Sequence, residues 1–584
     1  MWPFSSHSHL DVARRKQARR EDALRVARTV HPELRPGGAD ADPYLRATAR
    51  EIVHRIAKGE WTAADVLDAY IARAALAQDL TNCITEVFFA EARARAKALD
   101  DEFARTGKIC GPLHGVPVSF KDTFDVKGYD TTIGFSCHAD QPRPEDALVV
   151  KLVRDAGGIP ICKTNLSQLI FFFECANPVW GRTLNPYSKS YSSGGTSGGE
   201  AALLAMDGAA LGWGTDIGGS LRIPASFCGI YSLKPGWSRI SMTGVQGTWP
   251  GFEGIRTVAG PMGRSVDDIE LGARLVFGRQ GSEFDPAPLP YRELAEAQVP
   301  KKLRFGFYVS DNFVKPSPAC QRAVRETVEA LRRAGHECVE FEVPQARRAM
   351  EIFIGITAAD KYKTLSADLG DDPLDPGVAP VVIGPRLPGW LRNSLAWAVG
   401  KLYKDEVMPG TMRAACGKSV EEYHRWVRQR DEYARMFYRE VWDKHGFDGI
   451  IAPALAMPGL PHGSVQYLAG LACVDLLYNV VESPVGTVPV TRVRPGVDAA
   501  TAEWTDARVG RGHGSAFVER VLYGKGAGDK GGFYDAEKMA GLPVGVQVVG
   551  RRWEDEKVVH MMRVVDEALG PRDFGPGSWK AQGK

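Results

Sequence analysis

The sequence that decides the fold is Gly194-Gly195-Thr196-Ser197-Gly198-Gly199, followed by Gly214-Thr215-Asp216-Ile217-Gly218-Gly219-Ser220. Both segments combine hydroxyl side chains with several glycines. Glycines at this density let the backbone turn tightly and direct several N–H groups at one point, which is what an oxyanion requires. A single lysine lies upstream in Val118-Ser119-Phe120-Lys121-Asp122. The pattern predicts a hydrolytic active site whose nucleophile is one of the hydroxyls.

Three further segments accompany these loops: Gly111-Pro112-Leu113-His114-Gly115-Val116-Pro117, Cys228-Gly229-Ile230-Tyr231-Ser232-Leu233-Lys234-Pro235 and Gly541-Leu542-Pro543-Val544-Gly545-Val546-Gln547. The whole constellation resembles the amidase signature family, hydrolases that use a Ser-Ser-Lys arrangement in place of a histidine-based triad. The resemblance implies an α/β fold with a large twisted mixed β-sheet sandwiched between α-helices. The alternation of helical patterns and short apolar strands along the chain agrees with that class.

An amidase needs a nucleophile, a base that later acts as an acid, and a trap for the oxyanion. Ser220 is the predicted nucleophile, because it ends a loop in which the N–H groups of Ile217, Gly218 and Gly219 can turn toward a carbonyl oxygen. The predicted oxyanion hole comprises these three groups and the N–H of Ser220.

Lys121 is the predicted base, because the apolar residues before it favour burial, and burial lowers the pKa of a lysine toward neutrality. His114 is the histidine nearest to the loops in sequence, and a histidine brought in by the fold remains an alternative base. By resemblance, Thr196 occupies the position of the first paired serine, which follows a cis peptide and relays the proton. Threonine retains the oxygen but adds a methyl group on a stiffer side chain. Ser197 is expected to hydrogen-bond to Lys121 and orient it.

Further segments are Asn177-Pro178, Asp311-Asn312-Phe313 leading to Pro316-Ser317-Pro318-Ala319, and Tyr478-Asn479 ahead of Pro484-Val485-Gly486. They resemble the fatty acid amide hydrolase branch of the family, over about residues 45–570. This resemblance implies an apolar acyl channel, with Ile170, Phe171 and Phe173 as substrate-binding residues. Core packing explains the same apolar run equally well. The predicted substrate is a small-molecule amide with a lipophilic acyl or aryl group.

Residues 386–404 form a basic amphipathic pattern in which Leu391, Leu395 and Leu402 share one helical face, flanked by Trp390 and Trp397. A basic amphipathic helix with interfacial tryptophans is typical of a peripheral membrane contact, and the fatty acid amide hydrolases carry such a cap at the corresponding place. A buried packing helix or a homodimer contact explains the pattern too, and the alternatives stay open here.

Composition limits the remaining classes. The net charge is +2, from 73 basic and 71 acidic residues, so no nucleic-acid partner is expected. The 10 cysteines contain no C-x-x-C pair, and no His or Asp cluster has metal-ligand spacing. We therefore expect no metal and no cofactor. The first residues hold no long apolar run, which predicts a cytoplasmic protein, peripheral on an intracellular membrane if the cap meets lipid.

The expected organisation is an N-terminal basic helical extension over residues 1–43, an amidase signature domain over 44–572 with its signature core at about 111–276, and a C-terminal tail over 573–584. The basic extension is interpreted as a solvated amphipathic helix. Helices are predicted over 44–58, 63–78 and 85–106, and an irregular insertion over 496–538. An amidotransferase-type subunit or a non-hydrolysing scaffold of the same fold is the alternative function.

Overall fold

The structure is a computed structural model that describes residues 8–30, 42–282, 285, 289–295, 299–506, 514–524 and 532–580. The N-terminal half of the described chain contains these α-helices: α1 His9–Val30, α2 Pro43–Arg46, α3 Ala49–Ala57, α4 Ala63–Thr81, α5 Phe89–Thr106, α6 Leu148–Asp155, α7 Gly198–Ala205, α8 Arg222–Cys228 and α9 Val266–Val276. The C-terminal half contains these: α10 Pro318–Arg333, α11 Ala346–Thr357, α12 Ala379–Ile383, α13 Gly389–Leu402, α14 Met408–Ala414, α15 Val420–Phe437, α16 Cys473–Val480, α17 Ala502–Thr505, α18 Ala516–Tyr523 and α19 Asp555–Leu569.

The strands are β1 Ile84–Val87, β2 Pro117–Lys121, β3 Ile159–Thr164, β4 Ala176–Asn177, β5 Gly181–Arg182, β6 Leu184–Asn185, β7 Ser188–Ser192, β8 Leu211–Asp216, β9 Tyr231–Lys234, β10 Val258–Gly263, β11 Arg304–Phe307, β12 Glu337–Glu340, β13 Gly449–Pro453, β14 Val485–Arg492 and β15 Pro543–Val549. Across the described residues, 11 strands form one sheet in the order β1-β3-β2-β8-β10-β9-β14-β15-β13-β11-β12. Because it contains both parallel and antiparallel pairs, the predicted mixed sheet between helices is confirmed.

The order of the sheet places the two predicted catalytic segments side by side. Strands β2 and β8 are parallel neighbours, with Ser119 opposite Gly212 and Phe120 opposite Trp213. Both strands are completely buried. Lys121 ends β2, and the second glycine loop leaves the end of β8, so the fold delivers the lysine and this loop to one edge of the sheet.

Helix boundaries follow local capping where the sequence offers it. Thr62 caps α4, the helix predicted over 63–78, and accepts the N–H of Asp65 at 3.0 Å. The helix predicted over 44–58 is divided in two, because Thr48 caps α3 and accepts the N–H of Glu51. The helix predicted over 85–106 begins only at Phe89, since Ile84–Val87 pairs with β3 as strand β1.

The sequence analysis interpreted the basic N-terminal helix α1 as solvated, but part of this helix is buried against the domain. Lys16 is buried and its Nζ lies 2.7 Å from the carboxylate of Asp130, with Glu86 as a second partner. Arg15 and Arg19 both contact Asp140 at 2.6 Å. Ion pairs therefore dock this helix onto the domain. Residues 1–7 and 31–41 of the predicted extension lie outside the described residues.

Within the segment 496–538, the structure shows the short helices α17 and α18, so the prediction of an irregular insertion is wrong for those residues. Residues 507–513 and 525–531 of this segment, and residues 581–584 of the predicted tail, are outside the described range. The amphipathic pattern forms helix α13, which presents Trp390, Trp397 and Leu402 to solvent at 71%, 60% and 77% exposure. In the single chain, α13 is therefore not the buried packing helix that the sequence analysis considered as an alternative.

Candidate active site

Lys121 lies fully buried at the end of β2, as its apolar neighbours predicted. Its Nζ donates to the hydroxyl of Thr196 at 2.6 Å and to the hydroxyl of Thr215 at 2.8 Å. Burial lowers the pKa of Lys121 from 10.5 to about 7, although the negative charge of Asp216 opposes this shift. A neutral lysine in contact with two hydroxyls can accept a proton near physiological pH.

The first glycine loop turns directly into helix α7 and holds Thr196 against Lys121. The Gly195–Thr196 peptide bond is cis, as the family resemblance implies. The predicted hydrogen bond between Ser197 and Lys121 is not formed within this described loop. The Ser197 hydroxyl instead donates to the backbone carbonyl of Thr215 at 3.5 Å, because the end of β8 passes beside it, and the Thr215 side chain takes the position next to the lysine.

The second glycine loop is shaped by a buried ion pair. Arg222 binds the carboxylate of Asp216 with its Nε and Nη2, both at 3.0 Å, and all of these atoms are buried. Asp216 also accepts the N–H of Gly219 at 2.9 Å and of Leu221 at 3.1 Å. Bidentate Arg–carboxylate contacts fix geometry as well as charge. The pair is therefore structural, and it sets the backbone around Ser220.

Ser220 follows Gly219, whose φ of +113° is a conformation that glycine adopts readily. The Ser220 side chain is 7% exposed and faces the cavities described below. The sequence analysis placed the Gly219 N–H in the oxyanion hole. In the structure this N–H donates to the Asp216 carboxylate and does not point toward a substrate. The loop leaves the N–H groups of Ile217, Gly218 and Ser220 as the remaining candidates for an oxyanion hole.

Two cavities meet at Ser220, and Ile170, Thr196 and Ile217 line both of them. The smaller has a volume of about 50 Å³ and an almost wholly apolar wall. Its lining consists of Ile170, Phe171, Phe172, Phe173, Thr196, Ile217, Gly218, Ser220, Met350, Phe353, Ile354, Val381, Ala472 and Leu476. The predicted substrate-binding residues Ile170, Phe171 and Phe173 are all in this wall.

The larger cavity has a volume of about 400 Å³ and a mixed polar and aromatic wall. Besides the shared residues, its lining includes Thr215, Trp237, Gln246, Trp249, Phe252, Glu253 and Arg256. No histidine lines either cavity in the part of the chain that the structure describes. The described residues also contain no group of three or more His, Cys, Asp or Glu side chains that could hold a metal ion.

The sequence analysis did not identify Thr215 or the aromatic residues of the larger cavity. Thr215 lies in the quoted glycine segment, but its contact with Lys121 depends on the pairing of β2 with β8, which local sequence does not specify. Trp237, Trp249 and Phe252 lie outside every glycine segment. A binding role for these three side chains is indicated only by their shared position in the wall of the larger cavity.

Comparisons with known proteins agree with this fold and identify the family. The model of the family described as Amidase matches residues 65–559. Fatty-acid amide hydrolase 1 of Sus scrofa is 32% identical over 566 residues, covering 95% of this chain and 91% of that protein. An acetamidase of Aspergillus oryzae is 32% identical over 537 residues, covering 90% of each chain.

Among solved structures, a fatty acid amide hydrolase superposes with a TM-score of 0.78 at 26% identity, covering 90% of this chain and 86% of that one. The mixed sheet and the glycine loops thus define an enzyme of the amide hydrolase class. The chain belongs to the amidase family, and within it the chain is similar to the fatty acid amide hydrolases.

Proposed function

We propose that this protein hydrolyses amides of lipophilic acyl or aryl groups through an acyl-enzyme on Ser220. The observation that carries the proposal is the buried contact of Lys121 with Thr196, which lines the same two cavities as Ser220. Lys121 acts as the base, Thr196 carries the proton between Ser220 and Lys121, and Thr215 and the surrounding backbone orient the lysine. The N–H groups of Ile217, Gly218 and Ser220 stabilise the oxyanion.

The reaction then has two steps, acylation of Ser220 and hydrolysis of the acyl-enzyme. The Ser220 oxygen attacks the carbonyl carbon while its proton passes through Thr196 to Lys121, and the same proton is delivered to the amine nitrogen as the C–N bond breaks. Water next attacks the acyl-enzyme and gives one proton through Thr196 to Lys121, and this proton returns to the Ser220 oxygen as its bond to the acyl carbon breaks. The products are the carboxylic acid and free Ser220. No redox change and no added co-reactant are needed.

The test is hydrolysis by the purified full chain of a panel of amides, together with labelling by a fluorophosphonate, which captures activated serines. We expect amide cleavage and stoichiometric labelling without any partner protein. Absence of both in the isolated chain would favour the amidotransferase-type subunit or the scaffold.

The relay role predicts a sharp difference between two conservative variants of Thr196. Thr196→Ser retains the oxygen and should remain active. Thr196→Val has nearly the same shape but no hydroxyl, and should lose about 100-fold or more in kcat, because positioned proton transfer contributes about 10²–10⁴-fold. Single-turnover kinetics on one soluble amide would measure both. A Val variant with parental activity would remove Thr196 from the mechanism.

The buried lysine predicts the pH dependence. Because burial lowers the pKa of Lys121 to about 7, the neutral base is scarce below that pH and predominates above it. We expect kcat/KM for a neutral amide to rise with pH, reach half its maximum near pH 7 and level off above. A profile that is flat or falls between pH 5 and 9 would contradict a neutral lysine base.

The proposal extends to a peripheral membrane contact through α13. No described helix has the length and apolar character needed to cross a membrane. The face formed by Trp390, Leu395, Trp397 and Leu402 is nevertheless exposed, and Arg392, Lys401 and Lys404 lie on or beside the same helix. Exposed tryptophans beside basic residues suit the interface of an anionic bilayer. A cytoplasmic protein with this face would meet the inner surface of a membrane.

If α13 binds lipid, the double variant Trp390→Glu and Trp397→Glu should be released from vesicles of phosphatidylcholine and phosphatidylglycerol. Each CH₂ group buried in the bilayer adds about 0.8 kcal/mol, and charges reverse that gain. Sedimentation of vesicles measures the bound fraction. Activity on a short soluble amide should persist.

The matched control places the same two charges elsewhere, as Leu10→Glu and Val497→Glu, which are also exposed apolar positions. This control should sediment like the parent. If the parent itself does not sediment, α13 does not bind lipid. Loss of a dimer in the α13 variant, measured by ultracentrifugation, would then assign the helix to a homodimer interface.

A further inference from the structure

The two cavities that meet at Ser220 differ strongly in size, and this asymmetry bears on which amides fit. It rests on the proposed function, since it assigns an acyl side and an amine side to the same site. The assignment follows from the position of the proton relay. The proton must reach the leaving nitrogen, so the amine lies on the side of Lys121 and its partners.

The larger cavity is on that side. Thr215, whose hydroxyl lies 2.8 Å from Nζ of Lys121, lines the larger cavity and not the smaller one. The Gly218 backbone, which carries one of the candidate oxyanion donors, lines only the smaller one. Ile217 and Ser220, which carry the other two candidate donors, line both cavities. With the amine on the side of Thr215, the acyl group takes the smaller cavity.

Bulky side chains narrow the acyl side next to the oxyanion loop. A Cβ at Gly218 would lie 2.5 Å from Cδ2 of Leu476 and 3.3 Å from Cζ of Phe353. Phe172 and Phe173 stack at 5.2 Å on another side. One water-sized group needs about 10–15 Å³, so the volume of about 50 Å³ beside Ser220 has room for about four groups of that size.

The amine side is wide and aromatic. The ring of Trp249 packs against Phe171 at 5.0 Å and against Phe252 at 5.1 Å, and all three rings remain partly exposed. The guanidinium of Arg256 stacks on Trp237 at 3.7 Å from the ring centre. Partly exposed rings around a cavity provide edge and face contacts for another aromatic ring.

The charged side chains in and behind the wall of this cavity pair with one another. Arg256 lies 3.7 Å from Glu253 and 3.6 Å from Glu482, and Glu482 pairs with Arg552 at 2.6 Å. Two arginines thus face two glutamates, which leaves no excess charge to bind an ionised amine substituent. Burying an ionised substituent without a partner charge would cost free energy, whereas an uncharged ring can contact the wall without this penalty.

We propose that this enzyme prefers amides that join a short acyl group, of about four carbons or fewer, to a bulky uncharged aromatic amine. Phe353 and Leu476 limit the acyl length, and Trp249 with Phe252 selects the ring of the amine. The product amine leaves through the larger cavity, and the short acyl group stays on Ser220 until water releases it.

The test is an acyl-length series on one amine, 2-naphthylamine, carrying acetyl, butanoyl, octanoyl or dodecanoyl groups. We expect kcat/KM to fall at least about tenfold between butanoyl and octanoyl, since misfit of even one methylene changes discrimination by about 10–200-fold. A dodecanoyl amide cleaved as fast as the acetyl amide would overturn the proposal. That result would leave the proposed hydrolase function intact, because Ser220-dependent cleavage would still be observed.

A matched pair of variants on α16 tests the wall directly. Leu476 lines the smaller cavity, whereas its neighbour Leu477 is buried elsewhere in the core. Leu476→Ala should raise kcat/KM for the octanoyl amide about tenfold relative to the acetyl amide, and Leu477→Ala should not alter that ratio. An unchanged ratio in a folded Leu476→Ala variant contradicts the assignment. The length series on the parent enzyme remains decisive if that variant does not fold.

The amine side is tested by Trp249→Ala. Its kcat/KM should fall at least about tenfold more for acetyl-2-naphthylamide than for acetamide, which lacks the ring. Equal losses on both amides would overturn the ring-binding role. No cleavage of any amide and no fluorophosphonate labelling in the parent would instead refute the proposed function itself.

Discussion

Replacing Ser220 with alanine should abolish both amide hydrolysis and fluorophosphonate labelling while leaving the fold intact. The side chain is small and lies at a cavity wall, so the substitution removes one oxygen and creates almost no void. Without that oxygen no acyl-enzyme can form. We expect residual turnover at least about 10⁴-fold below the parent, measured with a soluble aryl amide.

The control is Ser226→Ala, a buried serine on α8 whose hydroxyl accepts the N–H of Gly545 at 3.2 Å. This variant loses a structural hydrogen bond but no nucleophile, so it should still be labelled. Labelling of the Ser220→Ala protein, or hydrolysis at the parental rate, would show that a different residue carries the acyl group.

Replacing Lys121 with alanine should reduce kcat/KM for amides by about 10²–10⁴-fold, because the lysine takes the proton from Ser220 and returns it to the amine. Esters should lose less, since an alkoxide leaves with less help from a proton. The measurement is the rate ratio between a matched ester and amide that share acyl and leaving-group shapes. Equal losses on both substrates would contradict the second proton transfer.

Lys121→Met serves as the matched control for packing. It fills most of the lysine volume but has no basic nitrogen, so it should be as inactive as the alanine variant and unfold at a higher temperature. If Lys121→Met were active, the effect of Lys121→Ala would be a cavity effect and the base would have to be another group.

Much of this site could be predicted from local sequence, because its geometry depends on residues that are close along the chain. The glycines before Ser220 specify a turn, and the apolar run before Lys121 specifies a buried strand. The amphipathic pattern around Trp390 likewise specifies helix α13 by its period alone. In each case the physical cause, backbone freedom or hydrophobic periodicity, acts over a few residues.

Other predictions were wrong because the structure of those residues depends on contacts with residues far along the chain. The sequence analysis predicted a helix from residue 85. The Ile84–Val87 segment instead pairs with β3, because sheet hydrogen bonds outweigh weak local propensity. Lys16 reads as solvated, yet Asp130 and Glu86 offer it a buried ion pair. Both outcomes are set by which side chains the fold brings near.

The sequence by itself therefore determined the enzyme class, the buried strand that ends at Lys121, the glycine turn before Ser220 and helix α13, since glycine turns, burial and periodicity are local properties. Only the tertiary structure decided that Thr215 rather than Ser197 contacts Lys121, and that Asp216 occupies the N–H of Gly219. The tertiary structure also set the two cavity volumes, because walls such as Leu476 and Trp249 come from segments distant in sequence from the Ser220 loop. Contacts between such segments depend on sheet order and helix packing, which no local pattern encodes.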